Sequence, residues 1–152
     1  IYVAPTKALV NQVAAEVYAR FKKTYKTGQS VWGIWTRDYR HAAMKCQILI
    51  TVPEMLGLLL LSPMHVEWTK KIKRVIFDEV HCIGLMDGGC FFFFIIGQIW
   101  ENLLRSVQCP ILCLSATVGN PKAFHSWLST IQKSHGIDVE FIVCGHRHSH
   151  LK

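Results

Sequence analysis

Two adjacent carboxylates, Asp78 and Glu79, stand directly after the apolar run Val75–Phe77, and His81 follows Val80. A run of that kind has the composition of a buried strand, so both acids leave a rigid support together. Successive side chains on an extended segment point to opposite sides, which gives the acids separate tasks. One can hold a hard divalent cation. Mg²⁺ takes oxygen ligands, keeps several waters and lets phosphates complete its shell. The other can orient or deprotonate an attacking water. Phosphoryl transfer asks little more of such a strand, because positioning and charge neutralisation dominate it. Taken alone, an Asp-Glu pair after a strand is more often a solvated acidic turn, so the rest of the chain has to decide.

Comparable polar groups recur at comparable places. Thr6 and Lys7 follow Ile1–Ala4, Thr51 ends Cys46–Thr51, and Ser115, Ala116 and Thr117 follow the run from Pro110. These apolar runs are unbroken rather than alternating, the pattern of strands buried on both faces of a parallel sheet. Ser30–Trp35 is a further strand. Between the strands the period changes. Leu9, Val10, Val13, Ala14, Val17, Tyr18 and Phe21 share one helical face, with Thr6 placed to cap it. Pro53 starts a helix through Leu61, and Pro63 stops it. Gly97–Val107 is a helix, Asn120-Pro121 opens another to about Lys133, and Asp138–Val143 is a last strand. The polar stretch 36–45 reads as a loop or short helix. The alternation predicts an α/β fold, a parallel sheet flanked by helices, and in such sheets ligands gather at the carboxyl ends of the strands.

The totals agree. The chain has 152 residues, 51% of them hydrophobic, and a net charge of +7. That supports one domain with a real core and favours an anionic partner such as nucleic acid. Six cysteines form no CxxC pair, and several sit inside apolar runs as small hydrophobes, which reads as a reducing compartment without a disulfide frame. The longest apolar runs, Met55–Leu61 and Cys90–Ile96, are far shorter than the ~20 residues a bilayer span needs. The chain opens on Ile1, inside what reads as a strand already under way, so a fragment is expected: a domain over 1–144 and a tail over 145–152.

"DEVH" (Asp78 to His81) resembles the Walker B motif of DExH-box helicases, and "LSAT" (Leu114 to Thr117) is similar to their motif III. "APTKALVNQ" (Ala4 to Gln12) resembles motif Ia, and "ITVPEML" (Ile50 to Leu56) resembles motif Ib. "TRDYR" after "VWGIW", and "GNP" after "LSAT", point to the superkiller-like group of RNA helicases, with wording nearest its large interferon-induced antiviral members. The resemblance implies the first RecA-like domain of an ATP-dependent RNA helicase, using ATP and Mg²⁺, with a second RecA-like domain as partner. It implies that Asp78 coordinates Mg²⁺ on the nucleotide and that Glu79 is the base or water-positioner. His81, Ser115, Ala116 and Thr117 would couple the nucleotide site to RNA. Pro5, Thr6 and Lys7 would line the RNA backbone, with Thr51, Pro53 and Glu54 forming the neighbouring contact turn. A cytoplasmic location and an antiviral role are expected on the same ground.

The sequence departs from the family pattern at three places. No GxxxxGK[ST] phosphate loop occurs, so the fragment alone is expected to be inactive. Val52 stands where motif Ib has threonine before its proline, and a shift of one residue turns a side chain to the other face. The segment Leu85–Ile96, with four consecutive phenylalanines, lies between Gly84 and the expected helix at Gly97. It could bind a partner, pack in a core or reflect a wrong exon boundary; the last is preferred. The tail Cys144–His150 lacks the spacing of a closed metal site. Two rivals stay open: a non-catalytic RNA-binding or scaffold protein on a decayed helicase fold, and a DNA translocase.

Overall fold

The structure, a computed structural model, describes residues 1–21, 28–83, 91–116 and 120–144, with backbone alone at 82–83 and 91–96. The chain divides into two compact units, Ile1–Gly119 and Asn120–Lys152.

The first unit is built on a six-stranded sheet in the order β3-β2-β4-β1-β5-β6. Its strands are β1 (Tyr2–Val3), β2 (Ser30–Trp35), β3 (Arg40–His41), β4 (Cys46–Thr51), β5 (Val75–Phe77) and β6 (Ile111–Cys113). All neighbours run parallel except β2 and β3. This is the α/β architecture that the unbroken apolar runs imply.

Helices cover both faces. On one side lies α1 (Lys7–Arg20), whose Val10 and Ala14 bury against Ala4, Ile34, Ile50 and Val52. Thr6 caps it as expected, its Oγ1 accepting from the Leu9 N–H at 3.3 Å. The opposite side carries α2 (Pro53–Leu61) and α3 (Val66–Thr69), where Leu59 and Trp68 pack with Leu49, Ile1 and Trp35. A further helix, α4 (Phe91–Ser106), seats Trp100 edge-on to Phe77, with ring centroids 5.3 Å apart. No helix among the described residues is long and apolar enough to cross a membrane.

Several elements differ from the sequence reading. The stretch 36–45 is no simple loop: Arg40 and His41 fold back antiparallel onto Trp35 and Ile34. Gly33 permits that close return, because a Cβ there would lie 2.9 Å from the His41 carbonyl oxygen. A strand this short carries no periodicity to read. Pro63 ends α2 but also opens a 3₁₀ turn, Pro63–His65, that leads into α3. The helix expected from Gly97 begins at Phe91, so the phenylalanine run forms its first turns. An apolar run of that length fits helix or strand equally until its neighbours choose.

The second unit contains α5 (Pro121–Ser134), capped by Asn120, whose Oδ1 accepts from the Ala123 N–H at 3.1 Å. The strand expected over 138–143 is absent; the segment joins no ladder among the described residues. A strand exists through its neighbour, which an apolar stretch cannot supply for itself.

The two sheet edges contrast. β3 is short and polar, the usual protection of an edge. β6 is apolar, and Leu112 is 46% exposed.

Candidate functional site

The parallel register aligns Trp35, Thr51, Val3, Phe77 and Cys113 in one row across the sheet. The following residues form its carboxyl rim. There Ala4 N–H donates to Thr51 O (3.0 Å), Asp78 N–H to Val3 O (2.9 Å) and Leu114 N–H to Phe77 O (2.8 Å). Asp78 thus emerges between the exit of β1, which leads to Lys7, and the exit of β6, which leads to Ser115. The connections after β1 and β5 pack on opposite faces, α1 on one and α4 on the other. That arrangement opens a crevice at the strand ends.

Both oxygens of Asp78 are held. Tyr2 donates its hydroxyl hydrogen to Oδ2 at 2.6 Å, and the Glu79 N–H donates to Oδ1 at 3.0 Å. Burial, and then the bond to Asp78, push the Tyr2 phenol above its ordinary pKa, so it stays a donor at neutral pH. The strict alternation expected of the two acids stops here. Glu79 has φ 57°, in the left-handed region that non-glycine residues rarely enter. This turn swings the chain into a 3₁₀ segment, Val80–Ile83, pinned by the bond from Val80 N–H to Leu114 O at 3.0 Å. Glu79 Oε2 consequently lies 3.1 Å from His81 Nδ1. The oxygen itself is closed off from solvent, and His81 is the side chain it faces. Ser115 Oγ stands 3.4 Å from the same His81 nitrogen. The DEVH and LSAT segments therefore meet at His81. Ala116 is exposed, and Thr117 lies outside the described residues.

These acids suit one kind of metal. Each Asp78 oxygen accepts one bond and keeps a lone pair, and Glu79 adds a second carboxylate whose Oε2 faces His81. Among the described residues no group of three His, Cys, Asp or Glu side chains could enclose an ion. That fits a Mg²⁺ held by a carboxylate and completed by waters and phosphates. It does not fit a zinc site closed by protein ligands.

The other candidates separate by exposure. Thr6 and Lys7 are exposed and Pro5 is half-buried. Lys7 is paired with Asp38 of the β2–β3 turn. Lys7 beside it holds the Asp38 carboxyl below its ordinary range. The pair therefore stands at neutral pH and is lost only as pH falls through that lowered value. Thr51 is 0% exposed, and its Oγ1 donates to Trp35 O at 2.6 Å. It offers no surface to a polymer, which corrects the expectation of a direct contact. Pro53 is also buried, leaving Glu54 as the exposed residue of that turn. Val52 takes the N-cap position of α2 without a side-chain bond, where the motif's usual threonine could have capped it.

Sequence reasoning missed Tyr2 and Asp38, because register and turn pairing decide both contacts. It also missed the Arg40 guanidinium, 3.9 Å above the Trp35 ring.

Residues 1–124 match the profile of the DEAD/DEAH box helicase family. The chain belongs to that family. Its sheet is accordingly the RecA-like sheet of a helicase domain. A human protein described as a probable ATP-dependent RNA helicase, DDX60-like, is 47% identical over 133 residues, covering 88% of this chain and 7% of its own length. Human Superkiller complex protein 2 is 32% identical over 136 residues, covering 88% of the chain and 9% of its own. The ATP-dependent DNA helicase Hel308 of Methanococcus vannielii is 32% identical over 131 residues, covering 85% and 16%. The chain thus spans a small part of each relative's length.

Proposed function

We propose that this domain serves an RNA helicase that converts ATP hydrolysis into movement along RNA. The carrying observation is the row of strand ends that gathers Asp78, Glu79, His81 and Ser115 on the rim from which Lys7 also rises. Mg²⁺, when bound, neutralises phosphate charge. Asp78 holds that ion, and Glu79 orients the attacking water. The His81–Ser115 contact relays the state of the nucleotide to the rim. Lys7 meets phosphate as a point charge, flanked by Pro5 and Thr6, so binding is weak in sequence preference and strong in salt dependence. RNA is favoured because the DDX60-like relative, at 47% identity, is described as a probable ATP-dependent RNA helicase. The second RecA-like domain is the partner we expect, and the cytoplasm is the compartment we expect from the family resemblance and from free thiols set in apolar runs.

The test is ATP turnover by the full-length protein with RNA and DNA oligonucleotides of matched sequence. RNA should stimulate it strongly. Equal stimulation by DNA would favour a translocase on DNA. RNA binding without turnover would favour a scaffold.

Affinity against salt tests the rim. Lys7→Ala should weaken RNA binding alike on all sequences and flatten the slope of log affinity against log salt by about 1. Asp38→Asn frees Lys7 from its internal anion and should tighten binding at low salt. An unchanged slope in Lys7→Ala would remove Lys7 from the RNA contact.

A further inference from the structure

We infer that Tyr2 is a positioning residue for Asp78, its hydroxyl fixing the carboxylate in the orientation that meets the magnesium of the bound nucleotide. The inference rests on the reading of Asp78 given above.

A carboxylate at a strand end turns easily about its last torsion, where the rotamer wells are broad. Here that freedom is removed from two directions. The Glu79 N–H holds Oδ1 from the local turn, and Tyr2, 76 residues away in sequence, holds Oδ2 from the next strand. The register explains the reach. Tyr2 pairs with Ile76, and Asp78 shares the face of Ile76, so the two are diagonal neighbours within range of an aromatic side chain. The ring is anchored, being packed against the core beneath α1. Its 2.6 Å bond has the length of an O–H···O⁻ charge-assisted contact.

The residue type matters. A phenylalanine would fill the same core, and the hydroxyl adds the bond to Asp78. A lysine or arginine partner would orient the carboxylate but cancel its charge and compete with the metal. A phenol orients it, leaves the charge intact and leaves a lone pair on each oxygen. Loss of bonds of this kind around ligating carboxylates costs roughly 10- to 100-fold in metal affinity or activity.

The test uses the full-length protein, a nonhydrolysable ATP analogue and Mn²⁺ as the spectroscopic probe, with free Mn²⁺ read by electron paramagnetic resonance. Tyr2→Phe should weaken Mn²⁺ binding about 10-fold and add nothing in an Asp78→Asn background. In hydrolysis assays the Mg²⁺ concentration for half-maximal rate should rise by the same factor, with the maximal rate recovered at saturating Mg²⁺. Tyr2→Met, which also lacks the hydroxyl, serves if the phenylalanine variant does not fold. Unchanged Mn²⁺ affinity, with or without a lowered melting temperature, would reduce Tyr2 to a packing residue. An equal loss in the Asp78→Asn background would show that Tyr2 does not act through Asp78. If Asp78→Asn alone binds Mn²⁺ and hydrolyses ATP like the wild type, the underlying reading of Asp78 fails and takes the inference with it.

Discussion

Glu79→Gln in the full-length protein should lower RNA-stimulated ATP hydrolysis by about 10²- to 10⁴-fold, the usual contribution of a positioned general base. Glutamine keeps the length and branching of the side chain, so the left-handed turn at this residue and its approach to His81 can persist. What disappears is the charge. The affected oxygen faces His81 Nδ1 at 3.1 Å, so the substitution also replaces the ionic half of that contact by a neutral one. RNA affinity should stay near the wild-type value, because Lys7 pairs with Asp38 and not with the acids. Turnover and RNA binding measured on one preparation separate these effects. A rate within about twofold of wild type would end the assignment of Glu79, since even a weak base contributes far more.

The largest expected loss of stability lies elsewhere. Trp100→Ala should destabilise the domain by about 3–5 kcal/mol, the range for truncating a large buried aromatic. Trp100 is 0% exposed and meets Phe77 at an interplanar angle of 65°. It thereby anchors α4 to β5, the strand that delivers Asp78. A typical domain holds only about 5–15 kcal/mol in total, so this one truncation should loosen the site along with the core. Trp100→Phe should cost less. It keeps a ring against Phe77 and removes an indole N–H buried without a partner among the described residues; such an orphan costs roughly 1–3 kcal/mol. Urea unfolding followed by far-ultraviolet circular dichroism compares the variants without relying on tryptophan emission. A loss under about 1 kcal/mol in Trp100→Ala would mean that α4 is held by other contacts.

The parallel strands were legible because each is a largely apolar run with a polar residue at its end or soon after it. That pattern also located Asp78, Glu79, Lys7 and Ser115 at one rim before any coordinates. Contacts set by register were not legible. Tyr2 reaches Asp78 only because β1 and β5 are neighbours with Tyr2 opposite Ile76. Thr51 turned out to be buried because its hydroxyl serves the Trp35 carbonyl, and a sequence does not show which face a terminal strand residue takes. The phenylalanine run could not be assigned to α4, since four identical apolar residues carry no period. The segment 138–143 looked like a strand because apolar composition mimics one, yet no ladder includes it among the described residues. The left-handed turn at Glu79 had no signal either, because glutamate is not a residue that advertises it.

β6 gives the molecule an adhesive margin. Its outer amides and carbonyls face no partner strand among the described residues, and Leu112 and Leu114 stand beside them with much of their surface wet. An edge strand of this sort is a template on which an extended segment can pair, including the same edge of another copy. Prepared in isolation at high concentration, this stretch would be governed by colloidal behaviour before enzymology, and its handling would hinge on what lies against that one strand.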